Sequence, residues 1–319
     1  MKKVLSSIII FDITVLFSIV IVIFHSGCKE EKAKLPSHIK NIVTVKDTAK
    51  PVVPELKITF SKERIKRMHI LSELTEKYGA DGMKQILAIN RLDNRHIVIG
   101  DSLCIPDTLP GNFLLFSPFP KRLSILDSVP KILILSYPVQ AFGGYEYGKL
   151  VRWGPTSMGK RKTPTPEGLY FTNWKAKETI STVNDEWILP WAFNIDNFNG
   201  ISIHEFELPG YPASHSCARL LEADAEWFYY WADQWVVSKD GEKLVAYGTP
   251  VIIYGKYNYH SPAPWKLLAE NPDADKINAD QLIPVIKKDI QTIIRRKIQR
   301  DSLLIALKTG SPYSSVKNN

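Results

Sequence analysis

Cysteine is scarce in this sequence, with only Cys28, Cys104 and Cys217 among 319 residues. Small secreted domains that depend on disulfides carry a much higher proportion, so a disulfide-built scaffold is excluded. A structural zinc site needs cysteines or histidines at short, paired spacings, and these three cysteines are too scattered to supply one. Each cysteine therefore needs an explanation of its own.

Other common functional signatures are also missing. The sequence has no glycine-rich phosphate-binding loop, and Glu205 and Glu207 lack partners that would make them a metal or acid/base pair. The basic cluster at residues 160–162 is expected to be a solvated loop. We therefore expect neither a metal ion nor another cofactor.

Positive charge is concentrated at the two ends of the chain. The formal net charge is +8, and residues 1–66 carry 12 Lys and Arg against 6 Asp and Glu, while residues 280–319 carry 8 against 3. Residues 67–279 hold 21 basic and 24 acidic side chains, so they lack the basic excess that nucleic-acid binding requires. A nucleic-acid partner is not expected.

The N-terminus is predicted to be an export signal. Residues 4–24 are largely apolar, but their most continuous part is 12 residues long, short of the roughly 20 that span a membrane. The following HSGC, ending at Cys28, resembles the lipobox of bacterial lipoproteins. The resemblance implies a lipoprotein-type signal over residues 1–28, lipidation of Cys28, and an exported, membrane-anchored protein facing the periplasm and cell wall. An uncleaved anchor with an incidental cysteine is the alternative.

A flexible tether is predicted over residues 29–63, which are rich in Lys, Glu, Pro, Thr and Val without a sustained period.

A small α/β module is predicted to follow over residues 64–108. It consists of a helix over 70–78, a second helix over 83–90 and a short strand over 97–106.

Two segments of this module, ILAINRL at residues 86–92 and IGDSL at residues 99–103, resemble the later two-thirds of a LysM module. LysM modules bind glycan chains that contain N-acetylglucosamine, so the resemblance implies glycan binding. A packing module that binds nothing is the alternative. The opening strand of that family is not recognisable in the sequence. Cys104 lies in the predicted strand, where we expect it to be a buried small hydrophobe.

Residues 130–256 are predicted to form a mainly β domain. Residues 132–137, 148–153 and 249–254 are short apolar or alternating runs bounded by proline and glycine. Helical periodicity is confined to residues 220–235. The domain therefore reads as predominantly β with one helix.

A C-terminal amphipathic helix is predicted within residues 275–310. Between Ala279 and Lys308 an apolar stripe runs along one side, and basic residues occupy mostly the other. We favour packing of this stripe on the main domain. Binding to an anionic membrane or to a partner is the alternative.

The chemistry of the chain is expected in residues 200–221. This segment holds Cys217 and two histidines, His204 and His215, within 13 residues of it. A thiol becomes a strong nucleophile when a nearby base takes its proton, and histidine is suited to that task near neutral pH.

The same segment resembles the active-site signature of YkuD-type L,D-transpeptidases, in which a histidine after a strand is followed by a loop and by SHGC. Residues 208–217, LPGYPASHSC, match the LPGYPASHGC form of one subgroup at every position but Ser216. Residues 162–170, KTPTPEGLY, resemble the family's strand entry, and residues 189–191 with 199–204 resemble its approach to the first histidine. The resemblance implies a YkuD-type β-sandwich with one or two helices.

The resemblance also implies roles for individual residues. Cys217 would be the acyl-accepting nucleophile, His204 its base, and the backbone carbonyl of Glu205 would orient the His204 ring. His215 would shape the site, and backbone N–H groups at Ser216 and Cys217 would stabilise an oxyanion. The residues expected to bind substrate or line the oxyanion site are Ser214, Ser216, Arg219, Tyr211 and Glu205, with the Arg219 guanidinium suited to a carboxylate.

Ser216 is the one departure from the signature. Serine there is strained if the backbone needs a positive φ and is tolerated if it does not. Because all flanking positions are intact, we expect tolerance.

The expected function is that of an exported L,D-transpeptidase acting on peptidoglycan, which also makes peptidoglycan and, through the lipid anchor, a membrane the expected partners. Cys217 would attack the carbonyl next to the terminal D-residue of a tetrapeptide stem, and the thioester would pass to an amine. With water as acceptor the same residues would make an L,D-carboxypeptidase or endopeptidase. A non-catalytic wall-binding anchor protein is the alternative from another class.

Overall fold

The computed structural model describes residues 57–67, 69–181 and 183–308, all within one compact unit. The predicted signal with Cys28, and the predicted tether up to residue 56, lie outside the described residues. Within the described residues no helix is long and apolar enough to cross a membrane.

The N-terminal module contains two antiparallel strands, β1 (Phe60–Arg64) and β2 (Ser102–Pro106), joined by the helical segment α1 (Ile70–Ile89). Gly79, with φ +72° and ψ 168°, divides α1 into the two helical stretches that the sequence predicts. Strand β1 is missing from the sequence prediction and begins inside the stretch assigned to the tether. All its residues after Phe60 are exposed, so no alternating pattern marks it, and pairing with β2 holds it in place.

The module has a core of its own, built by Ile65, Leu74, Ile86, Leu87 and Leu103. Cys104 faces a second apolar cluster, which it shares with Trp153 and Trp265 of the main domain. Its side chain is 1% exposed, as predicted for a buried small hydrophobe.

The main domain is mainly β, as predicted, and contains two larger sheets. Their strands are β3 (Ile132–Ser136), β4 (Ala141–Glu146), β5 (Lys149–Pro155), β6 (Gly168–Phe171), β7 (Lys175–Ile180), β8 (Ile188–Asp196), β9 (Ile201–Glu205), β10 (Ala218–Leu220) and β13 (Pro250–Tyr254). One sheet has the strand order β5-β4-β3-β13-β6 and the other β10-β9-β8-β7. A short pair, β11 (Val236–Val237) and β12 (Leu244–Ala246), completes the set. Within the larger sheets, β3 with β13 and β9 with β10 are parallel, and the other neighbours are antiparallel.

Strand β3 shows how the layers are arranged. Leu133 and Leu135 face a core that also contains Phe193 and Ile203 of the four-stranded sheet and Phe228 of the helix α2 (Glu222–Trp231). Ile132 and Ile134 face the opposite side. Because β3 is buried on both faces, its sequence is continuously apolar rather than alternating.

The opposite side is covered by the helix α3 (Ala279–Lys308), in the stretch where the sequence predicts one. Its apolar stripe packs on the five-stranded sheet through Leu282, Ile286, Ile290 and Ile293. In the structure the C-terminal helix therefore packs on the main domain, which is the alternative that we favoured from the sequence.

Arg91 joins the module to the main domain through a fully buried guanidinium. Its Nη2 donates to Asp275 Oδ2 at 2.7 Å, its Nε to the Val139 carbonyl at 3.0 Å and its Nη1 to the Ile89 carbonyl at 2.6 Å. The guanidinium also lies 5.5 Å and 5.2 Å from the ring centroids of Trp153 and Trp265. Burial lowers the pKa of Arg91, and the charge and hydrogen bond of Asp275 oppose that shift.

We predict that Arg91→Met lowers the free energy of unfolding by about 3–5 kcal/mol, because it leaves the Asp275 carboxylate buried and unpaired. Chemical denaturation of the wild-type and variant proteins measures this difference in the free energy of unfolding. Arg67→Met, in the same module, removes a guanidinium that is 68% exposed and pairs with Glu73. That control should change stability by less than about 0.5 kcal/mol. An Arg91→Met protein that unfolds at the wild-type midpoint would contradict the prediction.

Candidate active site

The strands β9 and β10 bring the two halves of the signature together. They pair in parallel with His204 opposite Arg219 and Ile203 opposite Ala218. Cys217, directly before β10, therefore lies beside the start of β9. The Ser202 N–H donates to Cys217 Sγ at 3.4 Å, and Sγ lies 3.7 Å from the Gly200 carbonyl oxygen.

A cavity opens where these strands meet the segment between β7 and β8. Its lining includes five of the residues expected from the sequence: Cys217, His204, His215, Ser214 and Arg219. Trp187 and Phe206 also line it. The other three expected residues, Tyr211, Ser216 and Glu205, are not among the lining residues, and Tyr211 is 56% exposed.

His204 is fixed in the orientation that the resemblance implies. Its ring is buried, and Nδ1 lies 2.8 Å from the Glu205 carbonyl oxygen. A carbonyl oxygen only accepts, so Nδ1 carries the proton of the neutral ring and Nε2 keeps its lone pair. Glu205 thus contributes its backbone to the site.

Burial sets the protonation of the pair. It lowers the pKa of His204 to about 4, against a weaker opposing effect of the Glu205 hydrogen bond. It also raises the pKa of the Cys217 thiol, although the Ser202 N–H and the Arg219 charge act in the other direction. At neutral pH the cavity therefore holds a neutral thiol and a neutral imidazole, and a neutral imidazole is able to accept a proton.

The turn that leads into Cys217 is closed by Ser214. Its buried hydroxyl donates to the Cys217 carbonyl at 2.5 Å. Among the hydrogen bonds of the described residues, none uses the backbone N–H of Ser216 or Cys217. These are the N–H groups that the resemblance assigns to an oxyanion.

Ser216 adopts φ +96°, in the region that favours glycine. The expectation that the backbone here avoids a positive φ is therefore wrong. The turn between Ser214 and Cys217 reverses within three residues, and residue 216 takes the left-handed conformation that allows this. Such a conformation costs an L-residue about 1–2 kcal/mol relative to its ordinary regions.

His215 makes a contact that the sequence analysis missed. Its Nε2 lies 2.6 Å from Lys160 Nζ, a residue assigned there to a solvated basic loop. An ammonium only donates, so Nε2 accepts and the ring proton is on Nδ1, which is buried and has no hydrogen-bond partner. Burial, with the charges of Lys160 and Arg219, lowers the pKa of His215. The bridge between Gly159 and Ser214 brings the two segments together, and no local pattern signals it.

Arg219 lies over an aromatic ring at the cavity. Its guanidinium carbon is 4.5 Å from the Phe206 ring centroid, and Nη1 donates to the Glu207 carbonyl at 3.4 Å. The side chain is partly buried, and its remaining donors are free to meet a carboxylate.

A half-buried cysteine and an oriented histidine at one cavity of a mainly β domain are typical of cysteine acyltransferases and hydrolases. Residues 131–253 match the family model of the YkuD L,D-transpeptidase catalytic domain. The match supports the expected catalytic domain in this part of the chain and covers less than half of the chain's length.

The individual relatives share between 20% and 29% sequence identity with this chain. L,D-transpeptidase 2 of Mycobacterium tuberculosis is 29% identical over 98 residues, which are 26% of this chain and 24% of that protein. This chain thus matches about a quarter of that relative's length. An L,D-transpeptidase from Mycobacterium smegmatis has a TM-score of 0.32 at 21% identity, over 40% of this chain and 59% of that one. The catalytic domain of the L,D-transpeptidase from E. faecium has a TM-score of 0.30 at 20% identity, over 39% and 96%.

We predict that Ser216→Gly raises the free energy of unfolding by about 1 kcal/mol, because glycine adopts the left-handed region without a Cβ penalty. Chemical denaturation measures the change. Ser124→Gly is a matched control, since Ser124 is exposed and is not among the residues with positive φ. That control should be neutral or destabilising. A Ser216→Gly protein less stable than wild type would refute the strain at this position.

Proposed function

We propose that this protein is a cysteine L,D-transpeptidase that acts on the stem peptides of peptidoglycan through an acyl-enzyme on Cys217. The observation that carries the proposal is the meeting of Cys217 and a ring-oriented, neutral His204 at one cavity. The family match of residues 131–253 supports the reaction class.

In the first half-reaction Sγ of Cys217 attacks the carbonyl carbon between the L-centre of a diamino acid and a terminal D-residue. Nε2 of His204 takes the thiol proton, and the N–H groups of Ser216 and Cys217 stabilise the negative oxygen. The protonated His204 then donates that proton to the nitrogen of the D-residue. The amide bond breaks, the D-amino acid leaves and a thioester remains on Cys217.

In the second half-reaction an amine attacks the thioester carbonyl. His204 accepts a proton from the amine, the C–S bond breaks and Sγ recovers its proton, so the product is a new amide. Arg219 at the cavity edge is suited to hold a carboxylate of the stem during both steps. If water attacks instead, the same residues act as a carboxypeptidase or endopeptidase.

We predict that the protein forms a covalent adduct with a carbapenem, whose strained lactam carbonyl acylates an activated thiol. Intact mass spectrometry should show one drug molecule per chain, retained in Cys104→Ala and absent in Cys217→Ala. Cys104 is the matched control because it is also a free cysteine but lies buried in another cluster. His204→Gln should slow acylation by about 100-fold or more, as expected for loss of a general base.

No adduct on the wild-type protein, or an adduct that survives Cys217→Ala, would refute the enzyme and favour a non-catalytic wall-binding protein. Purified tetrapeptide muropeptides then distinguish the acceptors. Cross-linked dimers indicate an amine acceptor, and shortened monomers alone indicate water.

We also propose that the protein is exported and anchored through a lipid on Cys28, and that the N-terminal module binds glycan strands. The support for the anchor is the apolar stretch followed by HSGC, and for glycan binding the LysM-like segments at residues 86–92 and 99–103. Fatty-acid labelling in a bacterial host should be present in the wild type and lost in Cys28→Ala. Labelling that survives this change would contradict lipidation at Cys28.

A further inference from the structure

The loop that connects the base to the nucleophile lies against the N-terminal module. The Asp93 N–H donates to the Leu208 carbonyl at 3.0 Å, and the Leu208 N–H donates back to Asp93 Oδ2 at 2.8 Å. Leu92 and Pro209 form an antiparallel bridge next to this pair. The catalytic loop at residues 206–210 is therefore held by backbone and carboxylate hydrogen bonds from outside the main domain.

Both oxygens of the Asp93 carboxylate are occupied. While Oδ2 binds Leu208, Oδ1 accepts from the Arg95 N–H at 2.7 Å, the His96 N–H at 3.1 Å and His96 Nδ1 at 2.8 Å. Burial alone would raise the pKa of Asp93, but these hydrogen bonds outweigh it and the net pKa is lowered. Asp93 is 8% exposed, so it is a nearly buried, ionised group whose partners lie on both sides of the contact.

The contact is close along the whole loop. Gly210 has φ +82°, and a Cβ there would lie 3.1 Å from Leu92 Cδ2. The Glu207 carboxylate lies 3.6 Å from His96 Nε2 and 3.9 Å from Arg95 Nη1. The side chains of Leu92, Arg95 and His96 of the module thus follow the path of the loop.

The other side of the loop faces the cavity. The Glu207 carbonyl accepts from Arg219, and the Phe206 ring lies under that guanidinium. The Phe206 ring centroid is also 6.0 Å from that of His204, in an edge-to-face arrangement. A displacement of the loop would therefore move the residues around both His204 and Arg219.

We infer that Asp93 is a positioning residue of the active site and that the N-terminal module is a structural part of that site rather than a separately tethered domain. The inference rests on the proposed function for its catalytic consequence. Asp93 acts through the loop, because it touches the loop and the cavity lining does not include it.

The test compares Asp93→Asn with wild type in the complete protein. The substitution keeps the size of the side chain but gives it an NH₂ group, which must face a donor of Leu208, Arg95 or His96. We expect faster amide hydrogen exchange in residues 206–210 with unchanged exchange in β3 and β4. At saturating carbapenem and a temperature where both proteins are folded, the acylation rate constant should fall about 10-fold, as for a displacement well below 1 Å.

Asp107→Asn is the matched control. Asp107 is an exposed carboxylate of the same module that accepts hydrogen bonds from Thr59 at 2.6 Å and 3.3 Å, with no contact to residues 206–210. Asp107→Asn makes the same change in charge as Asp93→Asn but leaves the catalytic loop untouched. The acylation rate of this variant should therefore stay within about twofold of wild type.

Unchanged amide exchange in residues 206–210 of Asp93→Asn would show that Asp93 does not hold the catalytic loop, which overturns the inference. Faster exchange with a wild-type acylation rate would overturn its role in positioning. Wild-type protein that forms no carbapenem adduct contradicts the proposed function instead. The exchange measurement then decides by itself whether Asp93 holds the catalytic loop.

Discussion

The buried guanidinium of Arg91 is the interaction on which the arrangement of the molecule depends. Its donors reach three separate parts of the chain: the end of α1, the turn after β3 and the segment before α3. A charge removed from water is tolerated only while its hydrogen bonds are made. Separation of these three parts would leave Arg91 or Asp275 unpaired, so the module, the sheet and the C-terminal segment are held as one body.

That arrangement determines what surrounds the nucleophile. With the module docked, residues 92–96 lie against the loop between His204 and Cys217, and the loop carries Phe206 beneath Arg219. On the other side, the bridge from Gly159 to Ser214 brings Lys160 to His215. The candidate site residues come from one short stretch of sequence, but groups of the module and of the loop before β6 contact the loop and the histidine beside them.

The site combines strain with burial. Ser216 holds a positive φ beside Cys217, and the N–H groups of these two residues make no hydrogen bond to any residue that the structure describes. Burial raises the pKa of the Cys217 thiol and lowers the pKa of His204 to about 4, so both side chains are neutral near pH 7. A strained turn with uncommitted donors is stable only because the surrounding sheets hold its two ends.

The sequence by itself determined the elements with a regular apolar pattern and the residues of the signature. The strands β3 and β13 follow from short apolar runs bounded by proline and glycine, the helix α3 follows from its apolar stripe, and Cys217 and His204 follow from their motif. Only the tertiary structure decided the strand β1, the φ of Ser216, and the contacts of Arg91, Asp93 and Lys160. Partners in those contacts are 184, 115 and 55 residues apart, so no local pattern encodes them. Periodicity reports which face of an element is buried, whereas the choice of partner and the backbone angle at a turn depend on how the elements pack.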